Sequence, residues 1–212
     1  MATADRPLHD VTFAVLDVET TGGSPVVDAL TEVGAACWRG GELLGTFETL
    51  VDPGAPIPDA VSALTGITGE MVAGAPSPAA ALASLSGFVG DAVVVGHNLR
   101  FDLAFLGTVA QRSGWPPIEN VTVDTLALAR RLVRDDVPDC RLGTLARALR
   151  LDHLPTHRAL ADVLATGDLL HRMIELATGF GVLHLGELLA FAAAPAPGGR
   201  RPRQRSETAS AA

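Results

Sequence analysis

Residues 12–19 are Thr-Phe-Ala-Val-Leu-Asp-Val-Glu, an apolar run of strand-forming residues that ends in two carboxylates. The run is apolar on both faces, which is typical of a central strand buried between two layers. Asp17 and Glu19 lie two residues apart, so on a strand their side chains share one face. Carboxylates at the end of a buried strand repel each other and need a positive partner. A divalent cation is the natural partner, and the alternative is a pair of solvated acids.

The segments around this run predict an α/β fold. Three strands in succession, 12–17, 29–38 and 42–51, are joined by short links and favour antiparallel pairing. Strands and helices then alternate, which indicates parallel pairing in the second half. The predicted elements there are strands 91–96 and 121–124 and helices 79–89, 98–113, 125–133, 141–149 and 158–177. Ser77 is expected to cap the first of these helices and Asn98 the second.

Composition limits both size and chemistry. The 212 residues suit one domain, predicted over residues 8–190, with a disordered, arginine-containing tail over residues 191–212. All 16 basic residues are arginine, and the absence of lysine excludes a phosphate loop ending in Gly-Lys and a Schiff-base mechanism. Twelve arginines and 23 acids precede residue 200, so the body is acidic and general electrostatic capture of nucleic acid is disfavoured. The arginines of the tail either hold nucleic acid or, as we favour, are simply solvated.

The cysteines and the N-terminus bear on location. Cys37 and Cys140 are too few for a disulfide framework, and Cys37 lies in an apolar run that predicts a buried thiol. The first ten residues carry acids without an apolar core, so we expect no secretory signal. No run of about 18 apolar residues is present, so we expect no membrane partner. These features predict a protein of the reducing cytoplasm.

Two further stretches of polar residues lie where a predicted strand or loop leads into a helix. Residues 96–102, Gly-His-Asn-Leu-Arg-Phe-Asp, leave a strand and begin a helix, with Asp102 about one turn inside it. Ligands of α/β proteins bind at such strand ends, although Asp102 can alternatively stabilise the helix N-terminus. Residues 157–162, His-Arg-Ala-Leu-Ala-Asp, place His157 at a helix start and Asp162 in its second turn. That pair suits a mobile general base beside a metal ligand, and the alternative is an ordinary helix-terminal histidine.

A zinc site is the less favoured hypothesis for the histidines. Cys140, His153 and His157 have the spacing of a zinc finger, but only one cysteine is present and Pro155 interrupts the pair. A structural zinc ion normally takes four ligands. We therefore do not expect zinc at these residues.

Taken together, the three polar stretches resemble the motifs of the DEDDh family of 3′→5′ exonucleases, and within it the proofreading epsilon subunits of bacterial DNA polymerase III. Asp17 and Glu19 match the first motif, Asp102 the second, and His157 with Asp162 the third. The resemblance spans residues 13–177. It implies an α/β, ribonuclease-H-like fold, with a mixed five-stranded sheet and helices on both faces. It also implies two Mg²⁺ or Mn²⁺ ions, which four converging carboxylates favour on physical grounds.

The resemblance implies an activity and a role for each residue. The protein would release nucleoside 5′-monophosphates from the 3′ ends of single-stranded or mismatched DNA, alone or with a DNA polymerase. Asp17 would bridge both ions, Glu19 and Asp162 would complete the first, Asp102 would serve the second, and His157 would take a proton from water. The expected substrate contacts lie in two turns: Thr20, Thr21, Gly22, His97, Asn98 and Phe101. The alternatives are an RNA exonuclease and, less favoured, a non-catalytic nucleic-acid-binding module.

Overall fold

A five-stranded mixed sheet organises the computed structural model, which describes residues 3–194. The elements in chain order are β1 (Thr12–Thr20), β2 (Leu30–Arg39), β3 (Glu42–Leu50), α1 (Asp59–Thr65), α2 (Gly69–Val72), α3 (Pro78–Val89), β4 (Val93–Gly96), α4 (Arg100–Ser113), β5 (Thr122–Asp124), α5 (Thr125–Leu132), α6 (Leu142–Leu149), α7 (Ala159–Thr178) and α8 (Leu185–Ala193). Short 3₁₀ helices lie at Thr3–Asp5, Leu8–Asp10 and Arg134–Asp136.

The strand order is β3-β2-β1-β4-β5, with β1 at the centre. β2 pairs antiparallel with both β1 and β3, whereas β4 pairs parallel with β1 and with β5. The predicted mixed sheet is therefore confirmed. Because β1 and β4 are parallel, their carboxyl ends meet at one edge of the sheet. That edge is where the acids of the first motif and the turn of the second come together.

Apolar side chains cover both faces of the sheet. On one face, residues of α5 to α8 such as Leu128, Leu169 and Met173 form a core with Val15. On the other, residues of α3 and α4 such as Leu85 and Phe105 pack beneath the same sheet. The predicted helices on both faces are therefore confirmed. Cys37 is buried within the second core, as expected.

One predicted helix cap is wrong. Ser77 caps α3 through its side chain, as expected, but α4 begins at Arg100 and its cap position is Leu99. Asn98 instead adopts a left-handed conformation with φ of 69°, in which its backbone N–H donates to Asp124 Oδ1 at 3.0 Å. A cap residue has extended backbone, so Asn98 in this conformation forms the turn before the helix rather than its first cap.

Helix α8 was not expected, and its position corrects the start of the tail. It runs to Ala193, so the boundary predicted at residue 191 falls inside a helix. Its apolar residues Leu185 and Leu188 are buried in the core, which explains why the helix forms. The predicted disorder of residues 195–212, including the tail arginines, lies outside the described residues. Among residues 3–194, no helix has the length and apolar character needed to cross a bilayer.

Candidate active site

The acids of the first two motifs meet where β1 ends. Asp17 and Glu19 project from β1, and Asp102 from the first turn of α4. The backbone N–H of Val18, which lies between the two acids, donates to Asp102 Oδ1 at 3.1 Å. Asp102 is 4% exposed, so this hydrogen bond is one of the few contacts that compensate its burial. The two motifs are thus joined directly by a hydrogen bond between elements distant in sequence.

The third motif approaches the same place from α7. Asp162 lies in the first turn of this helix, one turn earlier than predicted. Its Oδ1 accepts from the backbone N–H groups of Thr156 at 2.8 Å and His157 at 3.2 Å, which holds the preceding loop against the helix. His157 is exposed and adopts a left-handed conformation with φ of 59°. One ligand atom each of Glu19, His157 and Asp162 lies within 4.8 Å of the others.

Burial, and then repulsion between neighbouring carboxylates, raises the pKa values of these acids. Burial, followed by the charges of Asp102, Asp162 and Glu19, raises the pKa of Asp17 well above its ordinary value. Burial, then the charge of Asp162, raises the pKa of Glu19 to about 7, and burial raises that of Asp102 to about 8. Burial also raises the pKa of Asp162, although backbone N–H groups oppose the shift. The cluster is therefore costly to ionise without added positive charge.

The donor set fits a hard divalent cation. Carboxylate oxygens are the ligands that Mg²⁺ and Mn²⁺ prefer, and clustered carboxylates that repel one another gain most from such an ion. The imidazole of His157 adds one nitrogen at the exposed side. The structure thus brings together all five residues of the three motifs, as the sequence predicted.

Comparison with known proteins identifies the family. The sequence profile described as "Exonuclease" matches residues 14–170. A Mycobacterium tuberculosis (strain CDC 1551 / Oshkosh) protein named as a bifunctional exonuclease/endonuclease is 43% identical over 196 residues, covering 88% of this chain and 30% of that protein. A PolC-type DNA polymerase III of Halalkalibacterium halodurans is 40% identical, covering 87% of this chain and 13% of the polymerase. The chain belongs to the exonuclease family.

A solved structure agrees on the fold of this exonuclease domain. E. coli exonuclease I in complex with a dT13 oligonucleotide has a TM-score of 0.72 at 22% identity, over 81% of this chain and 43% of that one. The ribonuclease-H-like fold is thereby confirmed, and the family profile with the PolC-type relative confirms the resemblance to DEDDh-type 3′→5′ exonucleases. The domain spans less than a third of the two curated relatives that it matches.

Sequence analysis missed one residue of the exonuclease site, Glu32 of β2. Its side chain is fully buried and lies opposite Glu19 in the β1–β2 register. Both carboxylate oxygens accept from Arg158 Nε at 3.1 Å, and Oε2 also accepts from the backbone N–H of Ala159 at 2.8 Å. Glu32 therefore ties the start of α7 to β2. The signal was available, because an acid within the apolar run of β2 needs a buried partner.

A glycine allows this close approach of α7 to β2. A Cβ atom at Gly34 would lie 2.7 Å from the carbonyl carbon of Ala159, closer than side chains tolerate. The backbone of α7 therefore rests directly on β2. Together with Glu32, this contact sets where the third motif lies relative to β1.

Glu32→Ala should destabilise the domain by about 1 to 3 kcal/mol, because it leaves the N–H of Ala159 and a partly exposed arginine without their partner. Urea unfolding at pH 7 measures the loss. Glu48→Ala is the control, since Glu48 is exposed more and its oxygen lies 4.0 Å from the same guanidinium. Equal, small effects of the two substitutions would contradict the anchoring role of Glu32.

The turn after β1 uses its hydroxyl groups internally. Thr20 Oγ1 donates to the carbonyl of Gly22 at 2.6 Å, and Thr21 Oγ1 accepts from the N–H of Ala29 at 3.0 Å. A Cβ atom at Gly22 would lie 2.5 Å from the carboxylate of Asp28, so a larger residue here would have to displace that side chain. These contacts shape the turn next to the acids. Contact of Thr20, Thr21 and Gly22 with substrate remains a prediction.

The turn before α4 also binds some of its polar side chains to the protein and leaves others exposed. His97 Nδ1 lies 3.0 Å from Thr125 Oγ1 and Nε2 lies 2.8 Å from the carbonyl oxygen of Cys140, so both ring nitrogens have protein partners. Asn98 is exposed, and Phe101 packs on Phe105 with ring centroids 5.0 Å apart. The protein therefore holds the ring of His97 in place next to the site. Asn98 and the exposed part of Phe101 stay predicted substrate contacts.

Among the described residues, Cys140, His153 and His157 do not lie close enough to one another to share a metal ion. His153 is bound to Asp168 through its ring Nδ1 at 3.0 Å, and the carbonyl of Cys140 is engaged by His97. In residues 3–194, the one group of three or more candidate ligands close enough to share a metal ion contains neither Cys140 nor His153.

Proposed function

We propose that this domain removes nucleoside 5′-monophosphates from the 3′ ends of single-stranded or mismatched DNA, using two ions of Mg²⁺ or Mn²⁺. The observation that carries the proposal is the meeting of carboxylates from β1, α4 and α7 beside one exposed histidine. Membership of the exonuclease family supports hydrolysis of a phosphodiester, and the DEDDh motifs support the 3′→5′ direction.

Asp17, Glu19, Asp102 and Asp162 are the proposed metal ligands. Two divalent cations at such a site stabilise the charge that develops on both sides of a phosphoryl group during in-line displacement. Asp17 is the central member, because its carboxylate is close enough to feel the charges of the other three. Asp102 is fixed by its hydrogen bond to Val18, and Asp162 by two backbone N–H groups. The protein thus holds its ligands in place before substrate arrives.

His157 is the proposed general base. Its backbone is held by Asp162, while its side chain is exposed and has a ring nitrogen within 4.8 Å of the ligand atoms of Glu19 and Asp162. Imidazole accepts protons efficiently near neutral pH. In this role His157 takes the proton of the attacking water as the new phosphorus–oxygen bond forms and the bond to the leaving 3′-oxygen breaks.

The relatives favour DNA as the substrate and a polymerase as a partner. PolC-type DNA polymerases carry a homologous segment within a much longer chain, and E. coli exonuclease I was solved with a DNA oligonucleotide. We propose by analogy that this domain works on DNA ends, alone or beside a DNA polymerase, in the cytoplasm. The two cysteines are free thiols, which suits a reducing compartment.

End-labelled substrates test the proposal. With Mg²⁺, a 5′-labelled single-stranded DNA should shorten progressively, whereas a 3′-labelled one should release its label first as a mononucleotide. A mismatched duplex should lose its unpaired 3′ nucleotide faster than a matched duplex. Internal cuts, release from the 5′ end, or degradation of RNA of the same sequence in preference to DNA would contradict the proposal.

Metal ions and pH should act together on stability. The raised pKa values of Glu19 and Asp102 mean that the folded protein holds protons that the unfolded chain releases. Stability without metal is therefore greatest below about pH 4 for these groups and is lost as pH rises through about 7 to 8. At pH 8, Mn²⁺ at about 100 times its Kd should raise the Tm by roughly 5–10 °C.

Thermal scans with EDTA or Mn²⁺ at pH 5 and pH 8 make this measurement. The increase should be smaller at pH 5, where the acids are protonated and bind metal poorly. An increase that is equal at both values of pH, or absent at pH 8, would contradict a carboxylate metal site.

A further inference from the structure

A wide pocket of about 850 Å³ opens beside the turn that precedes α4. The residues that line it include His97 and Asn98, together with Arg130 of α5 and Arg134 of the following 3₁₀ turn. Its volume is that of a ligand pocket rather than of a surface dimple. His97 and Asn98 belong to the second motif, but none of the four proposed metal ligands and not His157 lines the pocket, so the metal site does not explain its arginines.

Two of the arginines in this pocket carry charge that the protein does not neutralise. Arg130 and Arg134 are exposed, and within residues 3–194 the structure shows no ion pair or side-chain hydrogen bond for either. Arg141 also lines the pocket, but its guanidinium lies 3.4 Å from Asp139, so those two charges offset each other. The residues that line the pocket therefore include two arginines without an ion-pair partner, on a protein whose net charge is −8, although Asp135 and Asp136 follow Arg134 in the same 3₁₀ turn.

The pocket adjoins the catalytic cluster through the α4 turn. Asn98 lines it and donates its N–H to Asp124, whose charge in turn acts on Asp102. His97 also lines it, and burial, with a smaller contribution from the charge of Arg130, lowers the pKa of this histidine. A strand whose 3′ end lies among the carboxylates can thus continue past Asn98 into the pocket.

We propose that Arg130 and Arg134 bind backbone phosphates of the DNA strand, one or more nucleotides on the 5′ side of the bond that is cut. This inference rests on the proposed function and adds the path of the substrate. The planar guanidinium matches phosphate oxygens, and in an acidic protein an unneutralised arginine pair gives local attraction that the net charge cannot. Apart from His97 the pocket contains no aromatic residue, so it recognises phosphates rather than stacked bases.

The test compares Arg130→Gln/Arg134→Gln with a control, Arg150→Gln/Arg172→Gln, which removes two arginines that line a different pocket. Binding of fluorescein-labelled dT12 is measured by anisotropy with Ca²⁺ in place of Mg²⁺. At about 100 mM salt the first variant should bind about tenfold more weakly, and its plot of log K against log salt should be less steep by about 1.4. The control should match the wild type.

A small substrate separates this inference from the proposed function. Thymidine 5′-monophosphate p-nitrophenyl ester has one phosphodiester and no upstream nucleotide, so its hydrolysis with Mn²⁺ should be unchanged in both variants. Failure of the wild type to hydrolyse the ester would count against the proposed function. The dT12 binding result would still show whether Arg130 and Arg134 bind DNA.

Three results would overturn the inference. The first is equal dT12 affinity in the arginine variant and the wild type. The second is a loss of ester hydrolysis that accompanies the loss of dT12 binding, which would indicate damage to the fold. The third is weaker binding of polyglutamate to the arginine variant than to the wild type, with the salt dependence of dT12 binding unchanged, which would make the pocket a site for an acidic protein.

Discussion

Asp17→Asn should reduce the rate of phosphodiester hydrolysis at saturating substrate by at least about a thousandfold, with the fold unchanged. The carboxylate of Asp17 lies among those of the other motif acids, and its pKa is raised by burial and by their charges. Asparagine has nearly the same shape but offers a neutral oxygen, so it would hold the proposed cations more weakly. Single-turnover assays with saturating Mg²⁺ measure the effect.

The same substitution should stabilise the metal-free protein at pH 8. Removing one charge from a crowded cluster relieves repulsion, so the Tm in EDTA should rise while the increase produced by Mn²⁺ should be lost. Asp91→Asn is the matched control, because Asp91 is exposed and lies outside the cluster. Activity near that of the wild type in Asp17→Asn would remove this residue from the mechanism.

His157→Asn should lower the rate by about 10² to 10⁴, as expected for the loss of a general base. Asparagine is chosen because it tolerates the left-handed backbone found at this position, so the loop should keep its shape. His153→Asn, in the same loop region and also exposed, should retain activity within about twofold. Rates across pH 6 to 9 show whether a titrating base has been removed.

The affinity for Mn²⁺ separates the two roles open to His157. If His157 is a general base, its replacement should leave the Mn²⁺ concentration for half-maximal activity unchanged. As a metal ligand, which its position beside Glu19 and Asp162 also allows, its replacement should raise that concentration together with the loss of rate. A large shift would therefore reassign this residue.

The candidate catalytic residues were predictable because each follows a strong local signal. Asp17 and Glu19 end an apolar strand, and Asp102 follows another strand end, where ligands of α/β proteins bind. The parallel pairing of β1 with β4, which brings the two strand ends to one edge, comes from the structure. His157 was predicted at the start of the helix because five residues on one continuous helix would put its side chain and that of Asp162 on different faces.

The residues that sequence analysis missed or misplaced depend on contacts between distant segments. The role of Glu32 requires the β1–β2 register and the docking of α7 on β2, neither of which local sequence reveals. Asn98 is a good cap by residue type, but the hydrogen bond of its N–H to Asp124 draws the backbone into a left-handed turn. Helix α8 is short and apolar, so it forms through core packing rather than through a periodic pattern.

A crystal of the protein soaked in MnCl₂ at pH 8 and measured at the manganese absorption edge tests the central claim most directly. We predict two anomalous peaks among the carboxylates of Asp17, Glu19, Asp102 and Asp162, with the peak beside Asp17 lost in Asp17→Asn. Peaks located elsewhere on the molecule, with none between these four side chains, would contradict the account.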